Sequence, residues 1–183
     1  MLKANDTLFD ASDHRLGNLD APLWLLEYGD YEGPFYIQAE PLTRHLAKTY
    51  GGRMTFAFRH FTQAEIHPHA ELAELAELAA EAAEAAAAQS RFWPMHARLF
   101  DRPHRLEPSV FAGCAASIGL DMLRFAGDLG DRVHTGPVQS HRLAGERMGV
   151  RATQTCFLSG SIVDISFGLQ HLEAAIQREL VQA

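Results

Sequence analysis

The sequence predicts an α/β fold in which a β-α-β unit and a closing β-β-α unit flank a long block of helices. Three observations predict it. Short strand-like runs occur only towards the two ends, the segment joining the first two has helical spacing, and residues 68–149 contain helical signals alone. At 183 residues and 47% hydrophobic side chains, the chain suffices for one globular unit with a substantial insertion.

Residues 1–20 are polar and broken by Asp, Asn and Gly, so they read as an N-terminal arm carrying little chemistry. Residues 23–28 (LWLLEY) form a buried first strand, stopped by Gly29 and Asp30. Beyond a loop at 30–34, Phe35, Ile37, Ala39, Leu42, Leu46 and Ala47 follow roughly helical spacing up to Gly51 and Gly52. Residues 53–59 (RMTFAFR) alternate, with Met54, Phe56 and Phe58 on one face and Thr55 and Ala57 on the other. Strand, helix and strand in this order form a parallel crossover. Helices are then expected at 70–89, 91–100, 108–118, 122–129 and 132–148, a β-hairpin at 155–158 and 161–166, and a closing helix at 169–180.

The triplet ELA occurs three times in 71–79. Ala, Leu and Glu all favour helix, and projection at 100° per residue separates Leu72, Leu75 and Leu78 from Glu74, Glu77, Glu81 and Glu84. The expected result is an amphipathic helix with a solvated acidic face.

A net charge of −7 and a pI near 5.8 give no electrostatic reason to bind nucleic acid. No basic, apolar leader opens the chain and no uncharged apolar stretch nears membrane-spanning length, so a soluble, cytoplasmic protein is expected, without a membrane partner. The only cysteines, Cys114 and Cys156, are far apart; a disulfide framework and a cysteine-rich zinc site are excluded. Each reads as a small buried hydrophobe.

Local wording adds a resemblance. Residues 13–36 (DHRLGNLDAPLWLLEYGDYEGPFY), FRHF at 58–61, HPHA at 67–70, the 79–89 helix followed by Phe92, Trp93, Met95 and His96, and 149–160 (GVRATQTCFLSG) resemble, in order, motifs of DsbA-like proteins. The resemblance implies a thioredoxin-like fold with an inserted all-helical domain: a thioredoxin-like domain of 21–67 and 150–183, and a helical domain of 68–149. It also implies descent from thiol-disulfide oxidoreductases.

The departures from that pattern fall at the chemistry. Gly33 and Tyr36 stand at the two cysteine positions of the family's CxxC, and Gln154 stands where the family has its cis-proline. Dithiol exchange needs a thiolate at a helix N-terminus and a second thiol to resolve the mixed disulfide. Neither residue supplies one. A cis bond before a non-proline residue costs about 3–4 kcal/mol, so a trans Thr153–Gln154 bond and a remodelled groove are expected. The degenerate site is read as a binding or structural module for a protein or peptide partner, a second copy of the chain included. Its binding candidates are Tyr31, Pro34, Phe35, Tyr36, Thr153, Gln154 and Thr155.

Two enzymatic alternatives stand beside this reading. Helix N–H groups at Pro34, with Tyr28, Tyr31 and Tyr36 nearby, are parts from which a glutathione-dependent transferase or isomerase could be built, with glutathione as the ligand. The other is a single-cysteine oxidoreductase using Cys156. His60, His67 and His69 read as structural residues, since no acidic or cysteine ligand has metal-site spacing to them; no metal is expected.

Overall fold

The structure is a computed structural model. It describes residues 9, 12–62, 70–101, 106–163, 165, 168 and 170–182; the side chains of 34–38 fall outside the description. One mixed sheet holds five strands: β1 (His14–Gly17), β2 (Leu23–Gly29), β3 (Met54–His60), β4 (Thr155–Leu158) and β5 (Ser161–Val163), in the order β1-β3-β2-β4-β5. Strands β2 and β3 are parallel and are joined by α1 (Pro34–Tyr50); β1 lies antiparallel on β3, β4 on β2, and β5 on β4.

Strand β1 corrects the reading of residues 1–20 as an irregular arm. HRLG has one bulky apolar residue, too little for a strand signal, and its conformation comes from pairing Leu16 opposite Phe56 and His14 opposite Phe58. Gly17 closes it at φ +92°, where a Cβ would sit 2.5 Å from the Met54 carbonyl oxygen. Only glycine fits there.

Helices α2 (Ala70–Ala87), α3 (Phe92–Phe100), α4 (Pro108–Ser117), α5 (Met122–Gly130) and α6 (Thr135–Arg147) fall between β3 and β4, and α7 (Gln170–Gln182) follows the hairpin. Asp121 caps α5 by accepting from the Leu123 and Arg124 amides at 3.0 Å each.

Alternation along the central strands sends side chains into three apolar groups. Leu23, Leu25, Met54 and Phe56 pack with Leu46 of α1 and Leu172 and Ile176 of α7. Trp24, Leu26, Tyr28 and Ala57 pack with Phe61, Val150 and Phe157. Phe58 joins Tyr31, Phe92, Met95, Phe111, Phe125 and the alanines of α2. Each large side chain so buried contributes about 1.5–3 kcal/mol.

The second half of α2 differs from the expected solvated acidic face. Residues 79–86 are buried all round, including Glu81 (1% exposed) and Glu84 (7%). The alanines explain it: with methyl groups on every side, neighbouring elements approach closely enough to enclose the helix, and each carboxylate finds a cationic or hydrogen-bonding partner. Glu81 accepts from Arg132 Nε and Thr135 Oγ1, both at 3.0 Å.

Helix α6 lies equally close to the sheet. A Cβ on Gly145 would sit 2.7 Å from the Phe61 ring and 2.9 Å from the Tyr28 ring. Gly145→Ala is therefore expected to destabilise the fold by about 1–3 kcal/mol despite alanine's better helix propensity. Urea unfolding of the two proteins measures the difference.

Candidate functional site

Gly33 precedes α1 in an extended conformation (φ −67°, ψ 115°), and with no side chain it offers neither nucleophile nor cap. The turn before it is closed by Asp30, whose carbonyl accepts from the Gly33 amide at 3.0 Å and whose Oδ1 accepts from the Glu32 amide at 2.9 Å. Pro34 opens the helix. The side chains of Pro34, Phe35 and Tyr36 lie outside the described residues.

The Thr153–Gln154 peptide bond is cis, which corrects the trans bond expected from loss of proline. Gln154 has its own anchor: its side-chain amide donates to the Glu27 carboxylate and, at 3.0 Å, to Thr43 Oγ1. The Thr43 hydroxyl donates to the same Glu27 oxygen at 3.2 Å. These side-chain contacts, unavailable to proline, hold the loop against β2 and α1. Thr155 Oγ1 donates to the Ala152 carbonyl at 2.6 Å, while buried Thr153 Oγ1 has no partner among the described residues.

Tyr31, a binding candidate, is fully buried, and its hydroxyl meets His96 Nδ1 at 2.9 Å. Burial pushes the Tyr31 phenol well up and the His96 imidazole well down, so this is a neutral pair. The Tyr28 hydroxyl accepts from Arg59 at 2.9 Å and donates to Met148 Sδ at 3.4 Å. Both phenols face inward. Cys156 is fully buried opposite Glu27, and burial, then the nearby carboxylate, raises its thiol pKa well above the ordinary value. Cys114 is half-buried in the helical core, and neither cysteine is in a disulfide.

Beside Glu27 lies a cavity of about 110 Å3, lined among others by Glu40, Arg44, Trp93 and His96. Glu40 is 2% exposed; one of its oxygens lies 3.4 Å from Arg44 Nε and the other has no partner among the described residues. Burial, opposed by Arg44 and helped by Asp101, raises its pKa to about 7.

A second polar centre joins β1, β3 and α2. Glu84 Oε1 lies 2.7 Å from His14 Nε2 and 2.8 Å from His60 Nε2. Burial opposes its charge, but hydrogen bonds from the two imidazoles prevail and hold the carboxyl well below the usual range. His141 Nδ1 accepts from the His60 amide at 3.4 Å, and burial followed by repulsion from His60 lowers its pKa to about 3. Beside them Asp13 grips Arg59 with both oxygens, at 2.5 and 2.7 Å. Sequence reasoning anticipated only a structural role for His60. The missed signal was a charge inside an apolar run: Glu27 in LWLLEY, Arg59 in FAFRHF, Glu84 among alanines. His67 and His69 lie outside the described residues.

The architecture is the DsbA-like thioredoxin fold. Among solved structures, the chain is similar to a thioredoxin-like oxidoreductase from Silicibacter pomeroyi (TM-score 0.81, 18% identity, 100% of this chain and 99% of that one). It is also similar to BdbD from Bacillus subtilis (0.78, 20%, 92% and 93%) and to the thiol-disulfide exchange protein alpha-DsbA2 from Wolbachia pipientis (0.77, 17%, 94% and 90%). No family model matches the sequence.

In sequence, the chain is 34% identical over 171 residues to Na(+)/H(+) antiporter NhaA 3 of Salinispora tropica, covering 93% of this chain and 25% of that protein. It is 38% identical over 153 residues to Na(+)/H(+) antiporter NhaA 1 of Mycolicibacterium vanbaalenii, covering 81% and 23%. The chain thus spans about a quarter of the length of the curated relatives it matches. No helix among the described residues is long and apolar enough to cross a membrane.

Glu40 yields a pH prediction. Its folded pKa, about 7, exceeds the unfolded value, so its contribution to stability is complete below about pH 4.3 and is lost as pH rises through 7. Among the described residues, Arg44 on its own helix, Tyr31 before that helix, Glu27 on β2, His96 on α3 and Asp101 after α3 are the charged or titratable groups around it. Relative to Glu40→Gln, the native protein is expected to lose about 3 kcal/mol between pH 4.5 and 8. Paired denaturant curves at the two pH values measure this.

Proposed function

We propose that this chain is a DsbA-like thioredoxin-fold module without dithiol chemistry, and that it works by binding a protein partner, an Na+/H+ antiporter. The observation that carries the first half is the start of α1, where Gly33 and Tyr36 occupy the two positions at which the resembled family has cysteines. Cys156 does not substitute for them, because it lies in β4, is fully buried, and is held as a thiol. The glutathione reading would call on a phenol turned towards α1, and Tyr28 and Tyr31 spend their hydroxyls on Arg59, Met148 and His96.

The antiporter half rests on the names of the curated relatives and on proportion: similarity runs along nearly this whole chain but only a quarter of theirs. With no membrane-crossing helix among its described residues, the shared segment is read as an accessory to the part that transports.

Two measurements test the halves separately. Insulin reduction with dithiothreitol is expected to run at the uncatalysed rate with or without the protein; acceleration abolished by Cys156→Ser would refute the first half. For the second, the Salinispora tropica antiporter lacking its matching segment, purified in detergent, is expected to take up this chain at one copy per transporter in sedimentation. Absence of any complex would refute the partner.

A further inference from the structure

We propose that His14, His60 and Glu84 form a binding site for a divalent transition-metal cation, best suited to zinc, at the junction of β1, β3 and α2. Their ligating atoms all lie within 4.8 Å of one another, and both imidazole Nε2 atoms converge on one Glu84 oxygen. Zinc takes His nitrogen at about 2.0–2.1 Å and carboxylate oxygen at about 2.0–2.2 Å, so ligand atoms around a tetrahedral ion stand about 3.3 Å apart. The present hydrogen bonds of 2.7 and 2.8 Å need open by only about half an ångström to admit an ion between the three groups. Two nitrogens and one carboxylate oxygen leave a fourth position free, the donor set of an open zinc site.

The surroundings support the assignment. His14 stacks on Phe92 (centroids 3.5 Å apart, planes at 10°), which fixes its ring, while His60 is enclosed by Phe58, Tyr31 and Phe92. His60 is 0% exposed, and its Nδ1 has no hydrogen-bond partner among the described residues. With a cation on Nε2, Nδ1 carries the ring proton, and the aromatic faces around the ring accept an N–H weakly. His141, which accepts from the His60 amide and meets Ser12 Oγ at 3.3 Å, is a positioning residue behind the site.

Charge and access also agree. Arg59 is engaged by Asp13 and Arg132 by Glu81, so the Glu84 carboxylate is left to the two imidazoles. A surface groove of about 320 Å3, lined by His14, Arg15, Phe92, Trp93 and Pro94 among others, opens beside His14 and provides the path in.

The test is titration of the purified, chelator-treated chain with Zn2+ by calorimetry, and with Co2+ by visible absorption. One equivalent of each is expected to bind, Co2+ with the intense d–d bands of a tetrahedral site. His14→Ala and Glu84→Gln are expected to weaken binding at least about 100-fold and remove the bands. His45→Ala, at an exposed position on α1, is expected to leave both unchanged. His14 lies at the rim, so its variant should keep the native circular dichroism even if the buried Glu84 variant does not. No binding by the native chain, or binding that His14→Ala leaves intact, overturns the proposal, as does equal loss in His45→Ala.

Discussion

A buried carboxylate on α2 and the two imidazoles that meet it govern how the helices sit on the sheet. An isolated charge in the interior is too costly to persist, so wherever Glu84 is buried its partners must come with it. Those partners are His14 on the edge strand and His60 at the end of β3 beside it. One charge requirement therefore fixes the place of β1, the end of β3 and the enclosed half of α2. The alanines flanking Glu84 permit the close approach; the carboxylate gives it direction. Arg59, next to His60, repeats the logic, for Asp13 precedes His14 and closes a second buried pair across the same strands.

Near the same end of β2, Glu27 organises a second set of side-chain contacts. Glu27 faces Thr43 and Gln154 where the resembled family would set a proline loop against a disulfide. The Thr153–Gln154 bond in this loop is cis. At the start of α1, Gly33 follows a turn closed by Asp30. The core depends on Leu25, Met54, Phe58 and their neighbours, so under the proposed reading the fold needs no thiol at the start of α1.

Much of the fold was legible because its signals are local. The alternation in 53–59, the apolar run at 23–28, and helix patterns ended by glycine each lie within a dozen residues. Strand β1 was illegible for the opposite reason, since HRLG becomes a strand only when β3 supplies its hydrogen bonds. Sequence also misplaced Glu81 and Glu84, because projection on a helical wheel shows which residues share a face and not what packs there. Gly33 and Tyr36, where the resembled family has cysteines, are read directly from the sequence. The histidine-carboxylate centre could not, for its members are separated by 46 and 24 residues in sequence. A lone charge inside an apolar run announces a buried partner without naming it.

The most direct test of the central claim, a thioredoxin fold with no reactive thiol, is the rate at which Ellman's reagent modifies the native protein across pH 5–9. The account predicts two thiols titrated in denaturant, slow native reaction at half-buried Cys114 alone, and none in Cys114→Ser until unfolding exposes Cys156. Rapid modification of Cys114→Ser at pH 6, the mark of an accessible thiolate with a lowered pKa, would contradict it.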